Sequence, residues 1–387
     1  VFVPIETYGL TIQPHLPAIP LFTLAGFILA QGKASERLLR VFRAGVGWIP
    51  GGTAIVCVLL CAFFTVFTGG SGVTILALGG LLFPALLRDG YRERFSLGLL
   101  TASGSLGLLF PPAMPLILYA IVAQVAPDDL FVAGIVPGIL LVVLVAAWGV
   151  REGLVTGAGR HGFGWPELRA ALWEAKWELS IPFAVLGVLF SGFTTLVETA
   201  AFTALYAAVI QGLIHRDFSL GRGLHKAFSE CVVLVGGVLV ILGVAVGFTA
   251  YLNDVNVPGL IVEWADAHVG SRLMFLLGLN LFLLLVGCLM DIFSAIFVVV
   301  PLIVPVAAQF GINPLHLGII FIANLELGFL TPPVGLNLFL ASYRFDRPLM
   351  EVYRATLPLL AILGFGVLVI TYVPWLTLGL LEMIGRQ

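Results

Sequence analysis

The chain has 387 residues, 60% of them hydrophobic and 10% charged, with a mean hydropathy of +1.11 and a formal net charge of −2. So apolar a composition excludes an ordinary soluble domain, and the near-neutral charge gives nucleic acid no electrostatic handle. Apolar runs long enough to cross a hydrocarbon core of about 30 Å as helices recur, while the short alternating segments of a membrane β-barrel are missing, so the sequence is that of an all-α integral membrane protein.

In chain order, "HLPAIPLFTLAGFILA" (15–30) precedes an amphipathic stretch with Lys33, Arg37, Arg40 and Arg43. Residues 51–88 follow, two apolar runs meeting at the small polar tip Gly69-Gly70-Ser71-Gly72. Together they are too short and interrupted for two full crossings, so a re-entrant helical hairpin is expected, entering and leaving at one face. Residues 96–125 contain "ASGSLGLLFPPAMPLILYA" (102–120), a helix broken at Pro111-Pro112, because proline lacks the N–H and clashes with the preceding turn. Spans are expected at about 131–150, 181–197, 199–214 and 229–250. A second amphipathic stretch leads to a second hairpin, 273–310, with Asp291 and Ser294 at its tip, and to a second broken helix, 314–343, containing "NLELGFLTPPVGLNLFL" (324–340). The last span falls within 355–381.

These features repeat. Ser71 overlays Ser294 and Pro111-Pro112 overlays Pro332-Pro333 at nearly the same offset, and residues 35–72 align with 258–295 without a gap. Two units are expected, 1–178 and 179–387, each holding a hairpin and a broken helix. The spans at 181–197 and 199–214 have no counterparts in the first unit, so two further helices are expected upstream of residue 1. Both mouths of the first hairpin are basic, with Arg88, Arg92 and Arg94 on the far side, whereas the second has only Arg272. Tracing the spans puts every lysine and arginine except Arg272 and Arg386 on the cytoplasmic side, so the repeats are expected to be inverted. Broken helices in inverted repeats point to a secondary transporter with its site near the bilayer midplane.

Irregular backbone inside a membrane is tolerated where it lines a cavity or binds something. The hydroxyls of Ser71, Ser103, Ser294 and Thr331, the Asn324 amide and the Asp291 carboxylate are oxygen donors suited to a hard monovalent cation, and form the candidate sodium set. Gly70, Gly72, Pro111, Pro112, Glu326, Pro332, Pro333 and Asn337 are the candidate lining of a substrate cavity. Half-helix N-termini there would favour a substrate carboxylate. Asp291, Glu326 and Glu198 are carboxylates placed within spans, where an ionisable group is a functional hypothesis. Each also has a structural alternative: Asp291 as cap of the second tip, Glu326 against N–H groups freed by the break, Glu198 as cap of the helix beside it.

Cys57, Cys61, Cys231 and Cys288 sit in apolar runs without disulfide or metal spacing and read as small buried hydrophobes. No histidine pair has zinc spacing, and no nucleophile elbow, Walker loop or dinucleotide fingerprint occurs. Enzyme chemistry is not expected.

The motifs at 15–30 and 102–120, with "GGSGVTILALGGLLFPALLRDGY" (69–91), "FTTLVETAAFTALYA" (193–207) and "NLELGFLTPPVGLNLFLAS" (324–342), resemble the large membrane subunit of tripartite ATP-independent periplasmic (TRAP) transporters, the DctM-like permeases. The resemblance runs across nearly the whole chain. It implies an elevator-type symporter of the bacterial inner membrane, driven by a Na+ gradient and importing organic acids such as C4-dicarboxylates. It also implies two partners, a small four-span membrane subunit and a periplasmic substrate-binding protein. Ser71 matches the family's first-hairpin serine and Asp291 its second-hairpin aspartate, both sodium-site candidates. Gly69-Gly70-Ser71-Gly72 departs from the Gly-Ser-Ser expected at the first tip and has one hydroxyl fewer. The alternatives are a sodium:anion symporter that needs no binding protein, whose families favour Ser-Asn-Thr tips absent here, and a membrane-embedded enzyme, for which no histidine lies at the required depth, or a structural subunit, which would have no reason to keep intramembrane Asp and Glu at broken helices.

Overall fold

The computed structural model describes residues 4, 8–9, 11–159, 162–218 and 221–385, and every regular element among them is a helix. α1 (Ala18–Gln31) is apolar around its circumference, and a bend of 75° separates it from the amphipathic α2 (Ala34–Val46). α3 (Gly52–Thr68) and α4 (Ser71–Arg88) form the first helix pair. α3 stops where Gly69 takes a left-handed φ of 66° and its N–H bonds the Thr65 carbonyl. A side chain at Gly69 would press on Met114, so the turn needs glycine for both conformation and room.

α5 (Glu93–Ser103) and α6 (Met114–Ala123) flank the first break, 104–113, and the long α7 (Pro127–Thr156) follows. Next come α8 (Trp165–Glu174), α9 (Lys176–Phe190), α10 (Leu196–Val209) with a wider turn at Ile210–Ile214, α11 (Arg222–Asp254) and α12 (Val257–His268). The second helix pair is α13 (Arg272–Leu289) and α14 (Ile292–Gln309), and α15 (Pro314–Gly328) and α16 (Leu336–Phe345) flank the second break, 329–335. α17 (Leu349–Tyr372) and α18 (Trp375–Met383) end the chain. Seven described helices are long and apolar enough to cross a membrane, eight if the bent α1–α2 pair is one span. They include α4, α13 and α14, so the second helix pair is not too short for two crossings, contrary to what the sequence suggested, because each of its helices runs 18 residues. The polytopic all-α class is as expected.

Two expected spans end differently. The run at 181–197 stops at Phe190, because Gly192 turns the chain with a φ of 72° and a capping box starts α10. In that box Glu198 Oε2 accepts the Thr195 N–H at 2.7 Å and Thr195 Oγ1 accepts the Glu198 N–H at 3.2 Å, which gives Glu198 its capping role. The run at 355–381 is divided at Val373-Pro374, where proline ends α17.

Elements from the two halves interleave: α4 lies against α16, α5 against α17 and α6 against α14. α1 packs on α10 and α11, and on α3 at Gly26 against the Phe67 backbone. Each break is tied to the helix pair of its own half. The Thr65 hydroxyl lies 2.8 Å from the Gly104 carbonyl, and the Gly335 N–H donates to the Cys288 carbonyl at 3.0 Å. α13 and α15 touch backbone to backbone, so a Cβ at Gly328 would lie 2.5 Å from the Gly287 carbonyl carbon. Gly328→Val should lower the melting temperature of the purified protein, with overpacking costing about 1–3 kcal/mol. An unchanged melt would mean that this contact is not tight.

Candidate functional site

The two helix-pair tips open on one cavity of about 250 Å³. Gly70, Ser71 and Gly72 line it from the first tip and Asp291 from the second, with Phe329 at the second break and Leu234 of α11 closing the sides. The tips differ in what they offer. No side chain caps the first turn of α4, so its leading N–H groups remain for an external acceptor. The start of α14 is already served: Asp291 Oδ2 accepts the Phe293 and Ser294 N–H groups at 3.0 and 3.2 Å, and the Ser294 hydroxyl bonds Oδ1. The cavity thus has hydrogen-bond donors on one side and a carboxylate on the other. Among the described residues no lysine or arginine lines it, and the rest of its wall is apolar.

Asn337 connects the elements around this cavity. Its Oδ1 accepts the Ser71 hydroxyl proton at 2.6 Å and its Nδ2 donates to the Thr101 carbonyl at 3.4 Å, joining α4, α5 and α16. Ser71 and Asn337 are both buried. Ser71→Ala would strand the Asn337 oxygen at a cost of about 1–3 kcal/mol, expected as a lower melting temperature. An unshifted melt would mean that Asn337 finds another donor.

The remaining predicted residues are scattered. Ser103 is fully buried at the end of α5, its hydroxyl without a partner among the described residues. Thr331 donates to the Leu327 carbonyl at 3.0 Å, outside the cavity lining. Both proline pairs have a cis peptide bond, but Pro111 and Pro112 are buried, with Pro111 beside a separate apolar pocket, while Pro332 and Pro333 are exposed. Asn324 belongs to helix packing rather than to the cavity. Its Nδ2 donates to Asn280 Oδ1 at 2.7 Å and to the Ile320 carbonyl at 2.8 Å, while Asn280 Oδ1 also accepts from Thr371 at 3.0 Å, which binds α13, α15 and α17 together. Glu326 does not hold the second break open. The freed N–H groups of Leu330, Thr331 and Gly335 reach backbone carbonyls at Leu327, Gly328 and Cys288, and neither Glu326 oxygen has a partner among the described residues.

A charged cluster outside the cavity lining has no counterpart among the predicted sites. Arg37 of α2 donates to Glu178 Oε1 from Nε at 2.8 Å, to Asp217 Oδ2 from Nη2 at 2.7 Å and to Gln211 Oε1 at 2.8 Å. Gln211 in turn donates to Glu178 at 2.9 Å. Burial alone would push the Asp217 carboxyl up, but hydrogen bonds from Arg37 and the Lys33 N–H, with the Arg37 and His215 charges, hold it below the ordinary aspartate range. The signals available in sequence were Glu178 at the head of an apolar run and Gln211 inside one.

The sequence model of the family "Tripartite ATP-independent periplasmic transporter, DctM component" matches residues 9–376. The chain belongs to this family. As a TRAP large permease it is a transport protein of the inner membrane and not an enzyme. It is 35% identical over 375 residues to the C4-dicarboxylate TRAP transporter large permease protein DctM of Pseudomonas aeruginosa, covering 96% of this chain and 87% of that one. It is also 35% identical over 364 residues to the isethionate TRAP transporter permease protein DctMQ of Oleidesulfovibrio alaskensis, covering 92% of this chain but 56% of that longer protein. The ectoine/5-hydroxyectoine TRAP transporter large permease protein UehC of Ruegeria pomeroyi is 32% identical over 365 residues, 92% of this chain and 84% of that one. Among solved structures, the YdaH transporter of Alcanivorax borkumensis has a similar fold, with a TM-score of 0.69 at 17% identity over 97% of this chain and 87% of that one.

Proposed function

We propose that this permease is the membrane pathway of a sodium-driven importer of small organic acids, supplied by a periplasmic substrate-binding protein and assembled with a small four-span membrane subunit. The observation that carries the reading is the shared cavity, where an uncapped helix start and an Asp-bearing tip face each other. The free N–H groups of α4 suit a substrate carboxylate. Asp291 and Ser71 line the cavity and supply hard oxygen donors of the kind a sodium ion takes, Ser294 and Asn337 are hydrogen-bonded to them from outside the lining, and the buried Ser103 hydroxyl is a further donor near the first break. Sodium bound there would place positive charge beside an anion in a cavity that no lysine or arginine lines among the described residues. Asn324 and Thr331 are outside this set.

The order of elements and the basic mouths of the first helix pair support inverted repeats over 1–178 and 179–387, with the helix pairs re-entrant from opposite faces. The interleaved packing of α4–α16, α5–α17 and α6–α14 supports a single body able to move, elevator-fashion, against α1, α10 and α11. The relative called DctMQ, of which this chain covers 56%, is in keeping with a second permease component. Relatives named for a C4-dicarboxylate, isethionate and ectoine differ in cargo, so the substrate is assigned at the level of a small organic acid.

The test is uptake of labelled organic acids into proteoliposomes holding both membrane subunits, with and without an inward sodium gradient and the cognate binding protein. Uptake should require both. Uptake without the binding protein would favour a two-component sodium:anion symporter, and uptake indifferent to sodium would remove the ion assignments.

A further inference from the structure

Glu326 lies in the last turn of α15, where its side chain is 2% exposed and neither carboxylate oxygen has a partner among the described residues. It follows Ile319 by about two helical turns and so shares its face, and Ile319 Cδ1 packs at Gly134 of α7 beside the Leu109 carbonyl of the first break. Its neighbours one turn away, Ile322, Ala323 and Leu330, are buried and apolar. The opposite face of α15 carries Asn324, Leu325 and Gly328 onto α13. Glu326 therefore lies on the apolar face of α15 that meets α7 at Ile319.

The elements packed on α15 are α6, α7, α13, α14, α17 and α18, and none supplies a counter-ion. Tyr119 of α6 donates to the Pro314 carbonyl, Cys288 of α13 to the Leu285 carbonyl, and Asp291 caps α14. Asp128, Asp129, Arg151 and Glu152 lie towards the ends of α7, and Arg272 begins α13. Glu351, Tyr353, Arg354 and Tyr372 lie in the end turns of α17, and Glu382 in the last turn of α18. On α15 itself, His316 sits at the far end and bonds Thr377 and Thr371. None of these groups is hydrogen-bonded or ion-paired to Glu326 among the described residues.

A carboxylate that no protein donor reaches is costly to keep ionised in a membrane interior. A residue serving only to fill space there would be apolar like its neighbours. We propose that Glu326 is a proton-binding site, its carboxyl holding a proton while α15 is closed against α7 and exchanging it with water when the second break moves. The exchange is acid–base: a carboxylate oxygen takes a proton from hydronium, leaving water, and returns it to water on reopening. This adds a pH-sensitive step to the transport reading and does not depend on which ion drives uptake.

The test combines a spectroscopic and a transport measurement on the full chain in lipid with its membrane partner. Infrared difference spectra at neutral pH should show the carbonyl stretch of a protonated carboxylic acid that is lost in Glu326→Gln and shifted in Glu326→Asp. Uptake measured against external pH at a fixed sodium gradient should change with pH in the wild type and flatten in Glu326→Gln. A band retained in Glu326→Gln, or a pH profile identical to the wild type, would overturn the proposal. If Glu326→Gln does not fold, an unshifted band in Glu326→Asp does the same. The band is read without transport, so a failure of sodium or binding-protein dependence would sink the functional reading while leaving Glu326 decided separately.

Discussion

Asp291→Asn should purify and melt like the wild type yet require about 10–100-fold more sodium for half-maximal uptake. Asparagine is as good an N-cap as aspartate, so the bonds that Asp291 accepts from Phe293 and Ser294 at the start of α14 survive the change. What disappears is the negative charge facing the cavity. A hydrogen bond or contact to a charged group contributes about 1.5–3 kcal/mol, which is the factor expected in ion affinity. Asp291→Ala should show the same sodium defect and, in addition, lose about 1 kcal/mol of stability with the cap. The pair of variants separates the two roles that the sequence left open for this carboxylate. Uptake curves against sodium concentration, read beside thermal unfolding of the same preparations, decide it. A wild-type sodium requirement in Asp291→Asn would leave Asp291 with the cap alone.

What the sequence revealed about this region follows from locality. A glycine-rich tip and a Met-Asp tip interrupt apolar runs with residues that either take left-handed backbone or cap a helix, and both signals lie within a few residues of the turn they make. The positions of α3–α4, α13–α14 and the two breaks were therefore legible. Partners distant in sequence were not. Ser71 and Asn337 meet across 266 residues, and nothing in either local pattern joins them. Asn280 hides in the apolar run of α13, so the bond that takes up the Asn324 amide was invisible and Asn324 looked like an ion ligand. The proline pairs are alike in sequence, yet one is buried and the other exposed, because what covers a break is decided by elements elsewhere in the chain. Glu326 was misjudged for a related reason. The backbone freed by the second break found carbonyls of its own, and the carboxylate was left facing apolar side chains.

The Arg37 cluster was equally hidden, since Arg37 read as an ordinary cytoplasmic charge and its partners are distant in sequence, and it gives the largest stability effect expected for this protein. The Arg37, Glu178 and Asp217 side chains are 7%, 0% and 6% exposed, so the charges depend on one another rather than on water. Arg37→Ala would leave two carboxylates without the guanidinium between them, with only the His215 ring nearby, 3.6 Å from Glu178, and breaking a buried pair from one side costs about 3–5 kcal/mol. Arg37→Lys should recover only part of this, because an ammonium cannot hold Glu178, Asp217 and Gln211 with one planar fork. The triple change Arg37→Met, Glu178→Gln, Asp217→Asn should be closer to the wild type than Arg37→Ala, since it removes the uncompensated charges along with their partner. Acid provides an independent check. The Asp217 carboxyl is held below its ordinary range in the folded protein, so its contribution is present above the unfolded value of about 3.9 and is lost as pH falls through the lower folded value. The difference in melting temperature between wild type and Asp217→Asn should thus be constant near neutrality and shrink below about pH 4. A difference that stays constant through that range would mean that Asp217 gains nothing from Arg37, and the cluster would then be a surface arrangement rather than the tie between α2, α9 and the α10–α11 connection.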